Sequence, residues 1–371
     1  MKVTVLQENL VKALAIGSRI VSGKPQMPIL SHILMRASDV GLELQTTNLD
    51  IGWRTVIGAK VDEVGDITVP VKTLLELVSN IGVGKLELSA ESTVLKINGA
   101  SIKASVNGSV ADEFPKLPDF VEEESIVLQV DKIGPAIAQT VFACAMDESR
   151  PVLTAALFNV GEKGLAMVGT DGFRLSVVKC DVVNASKNYE LLIPSRSLVE
   201  FARLLDEDMQ EVRFYVIEKG NQVIFKVGET ELSTRLVSGN YPDYKKIMPE
   251  SGNCEVEVDK EELLRAMKLA SVFARESANI VRLDIAVGRV LVSANAPQVG
   301  DNEIVVDASV KGEGGKIAFN YKYVLDYLNA VKGNVVKLWF NGSLSAGLWK
   351  DEGKEKTNDF VHVIMPVRLD E

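Results

Sequence analysis

Apolar residues recur at helical spacing in six stretches of the chain, and one of those stretches occurs three times. Residues 193–205 read IPSRSLVEFARLL, residues 69–81 read VPVKTLLELVSNI, and residues 319–331 read FNYKYVLDYLNAV. Each copy is a strand end followed by a helix with a basic residue near its start: Lys72, Arg196 and Lys322. A repeat of this length exceeds one solenoid unit and matches a whole domain. The pattern predicts three similar domains, residues 1–121, 122–250 and 251–371.

Within the first domain a strand at 2–5 leads to a helix at 8–21. Leu6, Leu10, Leu14, Gly17 and Val21 share one face of that helix, and Lys12 and Arg19 the opposite one. Alternating strands are predicted at 32–37, 41–46 and 51–59, then 66–69 before the repeat helix, and 85–89, 94–97 and 102–106 after it. Residues 114–118, with the acidic run 122–124, read as a linker. The second domain repeats the order: a strand at 126–130, a helix at 131–144, strands at 155–160, 164–169 and 174–181, the repeat helix at 195–205, strands at 211–217, 222–227 and 231–237, and a linker at 241–249. The third opens at 254–258 with a helix at 260–275. Strands follow at 281–287, 290–295 and 303–310, then the repeat helix and strands at 335–340, 344–349 and 360–365. Two helices packed on antiparallel sheet per domain make an α+β fold of three tandem repeats.

Charge changes the picture locally. The net charge of −10 argues on average against a nucleic-acid partner. The helices say otherwise. Arg196 and Arg203 oppose the apolar face of Leu198, Phe201 and Leu205; Lys268 and Arg275 oppose Leu263, Met267 and Ala270, with Arg265 at the margin. Lys12 and Arg19 repeat the arrangement, and the other three helices carry Lys72, Lys132 and Lys322. Any one such face is ordinary for a solvated helix. Their recurrence fits weak, sequence-independent contact with phosphates. Aromatic residues are sparse on these faces, so stacking on single strands is not indicated.

The chemistry of an enzyme is missing from the pattern. His32 and His362 lie in strand-like segments without a second ligand at metal spacing. The run 81–85 (IGVGK) lacks the first Gly and the trailing Ser or Thr of a phosphate loop, and no nucleophile elbow occurs. Asp171-Gly172 reads as a turn between strands. Cys144, Cys180 and Cys254 form no redox or metal motif, which points to a reducing compartment. With no apolar run of membrane-spanning length and no signal-peptide pattern at the N-terminus, the expectation is a cytoplasmic protein without metal, cofactor or membrane partner.

Several short motifs carry a resemblance. Lys24-Pro25-Gln26-Met27-Pro28-Ile29-Leu30, Thr170-Asp171-Gly172-Phe173-Arg174-Leu175, Tyr241-Pro242-Asp243-Tyr244, residues 319–325 (FNYKYVL) and the terminal Met365-Pro366-Val367-Arg368-Leu369 occur in one order along the whole chain. Together they resemble the bacterial sliding clamps, the beta subunits of DNA polymerase III. The resemblance implies a ring-shaped head-to-tail homodimer that encircles duplex DNA without reading its sequence, helices inward and sheets outward. It would tether the polymerase III alpha subunit, the clamp loader, and other polymerases and repair proteins. The basic helix residues would face DNA, with Lys24 and Arg150 joining them. The acidic remainder would discourage binding elsewhere.

The resemblance also implies a pocket for short linear motifs of partners. Its matching positions are Leu153, Thr170, Gly172, Phe173, Arg174, Leu175, Pro242, Lys246, Ile247, Asn320, Tyr323, Leu344, Val363, Ile364, Met365, Pro366, Val367, Arg368 and Leu369. By residue type alone most of these read as core. Phe173 stands where many relatives have His, and Lys246 where some have Arg. Asp370 and Glu371 extend past the usual terminal Arg-Leu. The implied dimer contact joins the end of the first domain to the third, with Ile102, Lys103 and Val106 on one side and Val272 and Phe273 on the other. The competing reading is a clamp-fold interaction scaffold that holds partners without encircling DNA.

Overall fold

The computed structural model describes all residues except 22–24, 26, 121–124, 163, 182–186, 207, 250–251, 353–357 and 369–371. Lys24 and Leu369, expected in the functional sites, and the acidic 122–124 and 370–371 lie outside the described residues. The chain divides into two compact units: residues 1–126 with 212–236, and residues 127–211 with 237–371.

In the first unit the strand Lys2–Leu6 runs directly into helix α1, Gln7–Ile20. Its apolar stripe buries Leu10, Ala13, Leu14, Gly17 and Ile20, while Leu6, expected on that face, is exposed at the N-cap. A Cβ at Gly17 would come within 3.1 Å of both Thr46 and the Trp53 ring, so this position lets α1 lie close on the sheet. Helix α2, Val71–Ser79, packs beside α1 and buries Val71, Leu74 and Val78. One five-stranded antiparallel sheet has the order Ala59–Glu63, Lys2–Leu6, Lys85–Glu91, Val94–Asn98, Lys103–Asn107. A second sheet contains Glu211–Ile217, Gln222–Val227, Thr230–Arg235, Ile51–Ile57, Gly41–Thr47, His32–Ser38 and Gly65–Pro70, in that order. Strands of the first and second repeats therefore join in one sheet, with Leu232 opposite Trp53 and Thr234 opposite Ile51.

The linker after the first repeat is packed down. Asp119 pairs with Arg54 at 3.8 Å, the Phe120 ring lies 4.2 Å from that of Tyr215, and Leu117 comes so close to Gly52 that a Cβ there would meet its Cδ2 at 2.5 Å.

The second unit holds α3 (Val130–Val141), α4 (Ser195–Ala202), α5 (Lys260–Ala274) and α6 (Tyr321–Ala330), paired α3 with α4 and α5 with α6. Side chains cap two of them: Asp259 accepts from the Glu262 N–H and Asn320 from the Lys322 N–H. The helices expected at 131–144 and 195–205 end earlier. Ala143 and Leu204 donate to carbonyls three residues back, which tightens the last turn out of α geometry. A twelve-stranded antiparallel sheet spans the unit. The second and third repeats meet in it where Arg174–Cys180 pairs with Asp359–Ile364.

The strand expected at 303–310 is longer, Gly300–Lys311, and changes neighbour midway. Residues 300–307 pair with Arg289–Ala296, and residues 308–311 with Cys254–Asp259. Its first half therefore has one edge without a partner strand among the described residues. Lys103–Asn107, last in the five-stranded sheet, has another.

Candidate functional site

Three surfaces carry the chemistry anticipated from the sequence. The first is the set of helix faces opposite the core. Lys12, Lys72, Arg196, Arg203, Arg265, Lys268, Arg275 and Lys322 are exposed, while Arg19 and Lys132 are half-buried. Several are engaged: Arg19 Nη1 donates to the Ala15 carbonyl at 3.4 Å, Arg203 pairs with Glu200 at 2.6 Å, and Arg275 Nε donates to the Ser271 carbonyl at 3.3 Å. Arg150 is not on a helix. Its Nη2 donates to the Asp171 carbonyl at 2.9 Å, which places it at the second surface.

That second surface begins at the turn 170–174. Asp-Gly supplies it: Gly172 has φ +93°, in the region that favours glycine. The Asp171 carboxylate accepts the N–H groups of Phe173 (2.9 Å) and Arg174 (3.0 Å). The Thr170 hydroxyl accepts the Gly172 N–H and donates to the Arg174 carbonyl. These bonds fix the turn without help from the core.

From this turn Thr170, Leu175, Val363 and Leu348 follow one another across four adjacent strands on one sheet face. Val177, Val168, Leu157 and Leu192 make the next row, and Val152, Tyr241, Tyr244 and Met248 pack against the same cluster. Burial raises the Tyr241 phenol well above its usual value, and its hydroxyl donates to the Val168 carbonyl. Four apolar side chains from the expected pocket set are exposed: Phe173 (57%), Ile247 (57%), Leu344 (64%) and Met365 (49%). Leu153 and Ile364 are buried, while Pro242 and Arg368 are exposed. Lys246 is tied to Asp243 at 3.1 Å. The C-terminal segment closes one side, its Met365 N–H bonding the Phe173 carbonyl at 2.9 Å and its Val367 N–H the Ala318 carbonyl at 2.8 Å.

Arg174 points to the other face of its strand. Its guanidinium lies over the rings of Tyr323 (4.5 Å) and Phe142 (5.4 Å) and bonds Asp171 and Asp326. Beneath it His362 is fully buried, with Nδ1 2.8 Å from the Ser176 hydroxyl and its ring stacked on Tyr327. Burial, helped by the Arg174 charge, lowers its pKa to about 3, so the ring is neutral and structural. Burial likewise pushes Cys144 up to about 12, an inert thiol. Asp171, Asp326 and Phe142 were not among the residues expected here. The Tyr323–Asp326 spacing on α6 is the signal the sequence carries for Asp326, and the Asp171-Gly172 turn motif that for Asp171.

The third surface is formed by two of the open strand edges. Lys103 is exposed on the first, Ile102 is half-buried and Val106 buried. Asp301, Glu303 and Asp307 are exposed on the second. Val272 on α5 is 47% exposed, and Phe273 lies against Gly300. Among the described residues no cluster of His, Cys, Asp or Glu is placed to hold a metal, and no helix is long and apolar enough to cross a membrane.

Comparison with known proteins agrees along the whole chain. A curated relative, the beta sliding clamp of Bacillus subtilis (strain 168), is 30% identical over 381 aligned positions covering 99% of this chain and 100% of its own. The crystal structure of the Bacillus subtilis DNA polymerase sliding clamp superposes with a TM-score of 0.94 at 29% identity, covering 100% of both chains. That of a sliding clamp from Pseudomonas aeruginosa bound to griselimycin gives 0.92 at 26% identity, again over 100% of both. Family models for the DNA polymerase III beta subunit match its N-terminal domain to residues 1–118, its central domain to 127–243 and its C-terminal domain to 245–368. With three tandem α+β domains matched in order, the chain belongs to the DNA polymerase III beta subunit family, the bacterial DNA sliding clamps.

Proposed function

We propose that this sliding clamp closes around duplex DNA as a ring of two chains, and that replication proteins dock by short peptides on the sheet face beside the 170–174 turn. The observation that carries the ring is the opposite charge of two unpaired strand edges. One exposes Lys103 and the other Asp301, Glu303 and Asp307, so the edge of one copy complements the edge of the next in both backbone and charge. Val272 and Phe273 flank the acidic edge, and Ile102 and Val106 the basic one. Each chain then contributes domains bounded near residues 121 and 250.

Lys12, Arg19, Lys72, Lys132, Arg196, Arg203, Arg265, Lys268, Arg275 and Lys322 are the DNA-facing set. Their contacts are weak by design of the assembly: topology retains the DNA, and loose phosphate contacts let the ring slide. Arg150 belongs instead with the pocket. Partners are the polymerase III alpha subunit, the clamp loader, and other polymerases and repair proteins, each anchoring apolar side chains among Phe173, Ile247, Leu344 and Met365. The setting is the bacterial cytoplasm.

The test is retention on DNA after treatment with clamp loader and a salt wash. Retention on circular duplex with loss from the linearised form is the expected result. Equal loss from both would reject the ring and favour a scaffold that does not encircle DNA.

A further inference from the structure

Arg174 lies beneath the peptide surface and does not reach onto it. Leu175, the next residue, faces the apolar floor, and alternation along the strand turns Arg174 to the side where α3 and α6 pack. There its side chain is only 11% exposed. Nε donates to Asp171 Oδ2 at 3.0 Å and Nη1 to Asp326 Oδ2 at 2.6 Å. The two aromatic rings hold its plane, with the Tyr323 centroid at 4.5 Å. A guanidinium engaged by two carboxylates and stacked on two rings has little left to offer an incoming peptide.

Asp171 belongs to the same turn as Arg174, so that pair adds no connection between elements. Asp326 does. It sits one helical turn after Tyr323 on α6, so that helix grips both the plane and the edge of the guanidinium. Asn320 caps α6 and Tyr323 lies in its first turn, two positions the resemblance assigns to the peptide surface; the strand from Arg174 carries the floor. The C-terminal segment spans the same two parts, bonding Phe173 at one point and Ala318, just before α6, at another.

Building on the peptide-docking role assigned above, we propose that Asp326 is a positioning residue for partner binding. It holds Arg174 as a strut that keeps α6 and the strand floor in register, and Arg174 acts through this strut and not as a donor to the partner. The Asp326 side chain is 43% exposed, so replacing it opens no cavity in the core.

The experiment is titration of the full-length protein with a synthetic peptide carrying the clamp-binding segment of the replicative polymerase. Asp326→Ala is expected to weaken binding about five- to tenfold, the scale of one charged hydrogen bond. Asp326→Glu restores it to within about twofold, and the melting midpoints of both match the parent. In an Arg174→Ala background Asp326→Ala has no further effect, because the two act as one unit. Equal binding by Asp326→Ala and parent would overturn the strut. So would an additive loss in the Arg174→Ala background, which would show Asp326 acting by another route. Failure of the parent itself to bind the peptide would instead reject the docking surface, and the strut with it.

Discussion

The two junctions where repeats share a sheet are built alike and end differently. Both are antiparallel pairings, and both place an arginine against a carboxylate brought from elsewhere in the chain: Arg54 with Glu231 in one, Arg174 with Asp326 in the other. At the first, the linker after the first repeat lies across the join. Leu117 covers Gly52, Phe120 stacks on Tyr215, and a cavity of about 80 Å³ remains between linker and strands. At the second, the linker contributes Tyr241, Tyr244 and Met248 to the floor but leaves Ile247 exposed, as Phe173, Leu344 and Met365 also are. One join is sealed by its own chain. The other leaves apolar side chains in water, which a folded protein seldom does without a partner to cover them.

The comparison breaks most sharply at those exposed side chains. Replacing Ile247 and Leu344 together by Asp should lower peptide affinity about 100-fold, as loss of two buried anchors does. Titration calorimetry reads this, and Lys116→Glu in the first linker should leave affinity unchanged. Next is the seal itself. Gly52→Val drives a side chain into Leu117 and the Ser233 hydroxyl, and should cost about 1–3 kcal/mol of stability in denaturant unfolding with peptide binding intact.

The buried histidine of the second junction sharpens the contrast through pH. His362 titrates near 3 when folded and near its ordinary 6.5 when unfolded. Its contribution is complete above pH 6.5 and drains away as pH falls toward 3, because only the unfolded chain takes up the proton. The loss is about 1.4 kcal/mol per pH unit in that window. Unfolding at pH 7 and pH 5 should show this slope in the parent and a smaller one in His362→Phe. The smallest effect is expected at Arg54→Lys, about 0.5–1 kcal/mol, since one ammonium cannot reproduce a guanidinium held between Glu231 and Asp119.

The helices and the threefold repeat were legible in the sequence because both are local. A 3.6-residue period needs only its own segment, and IPSRSLVEFARLL can be compared directly with its two copies. The junctions were not legible. Nothing in Thr230–Arg235 announces that it pairs with Ile51–Ile57, because an alternating strand fits many edges equally well. The pocket fell between these cases. Leu175 and Val363 look like core and are buried, so their residue type was read correctly and their role came from the resemblance alone. Phe173, Ile247, Leu344 and Met365 also look like core, and their exposure follows from how distant strands and a linker meet. Arg174 reads as a surface donor until Asp326 arrives from α6.

The strand Gly300–Lys311, which changes neighbour halfway along, has a further effect. A bare backbone edge is an invitation to stack with identical copies without limit. Asp301, Glu303 and Asp307 on that edge make the match of like with like repulsive, so only an edge of the Lys103 kind is welcome. Assembly thereby acquires a direction. In the proposed ring of two, each copy would then join the next front to back. A single ring would present two moorings, one free to receive a newcomer while the other is still occupied.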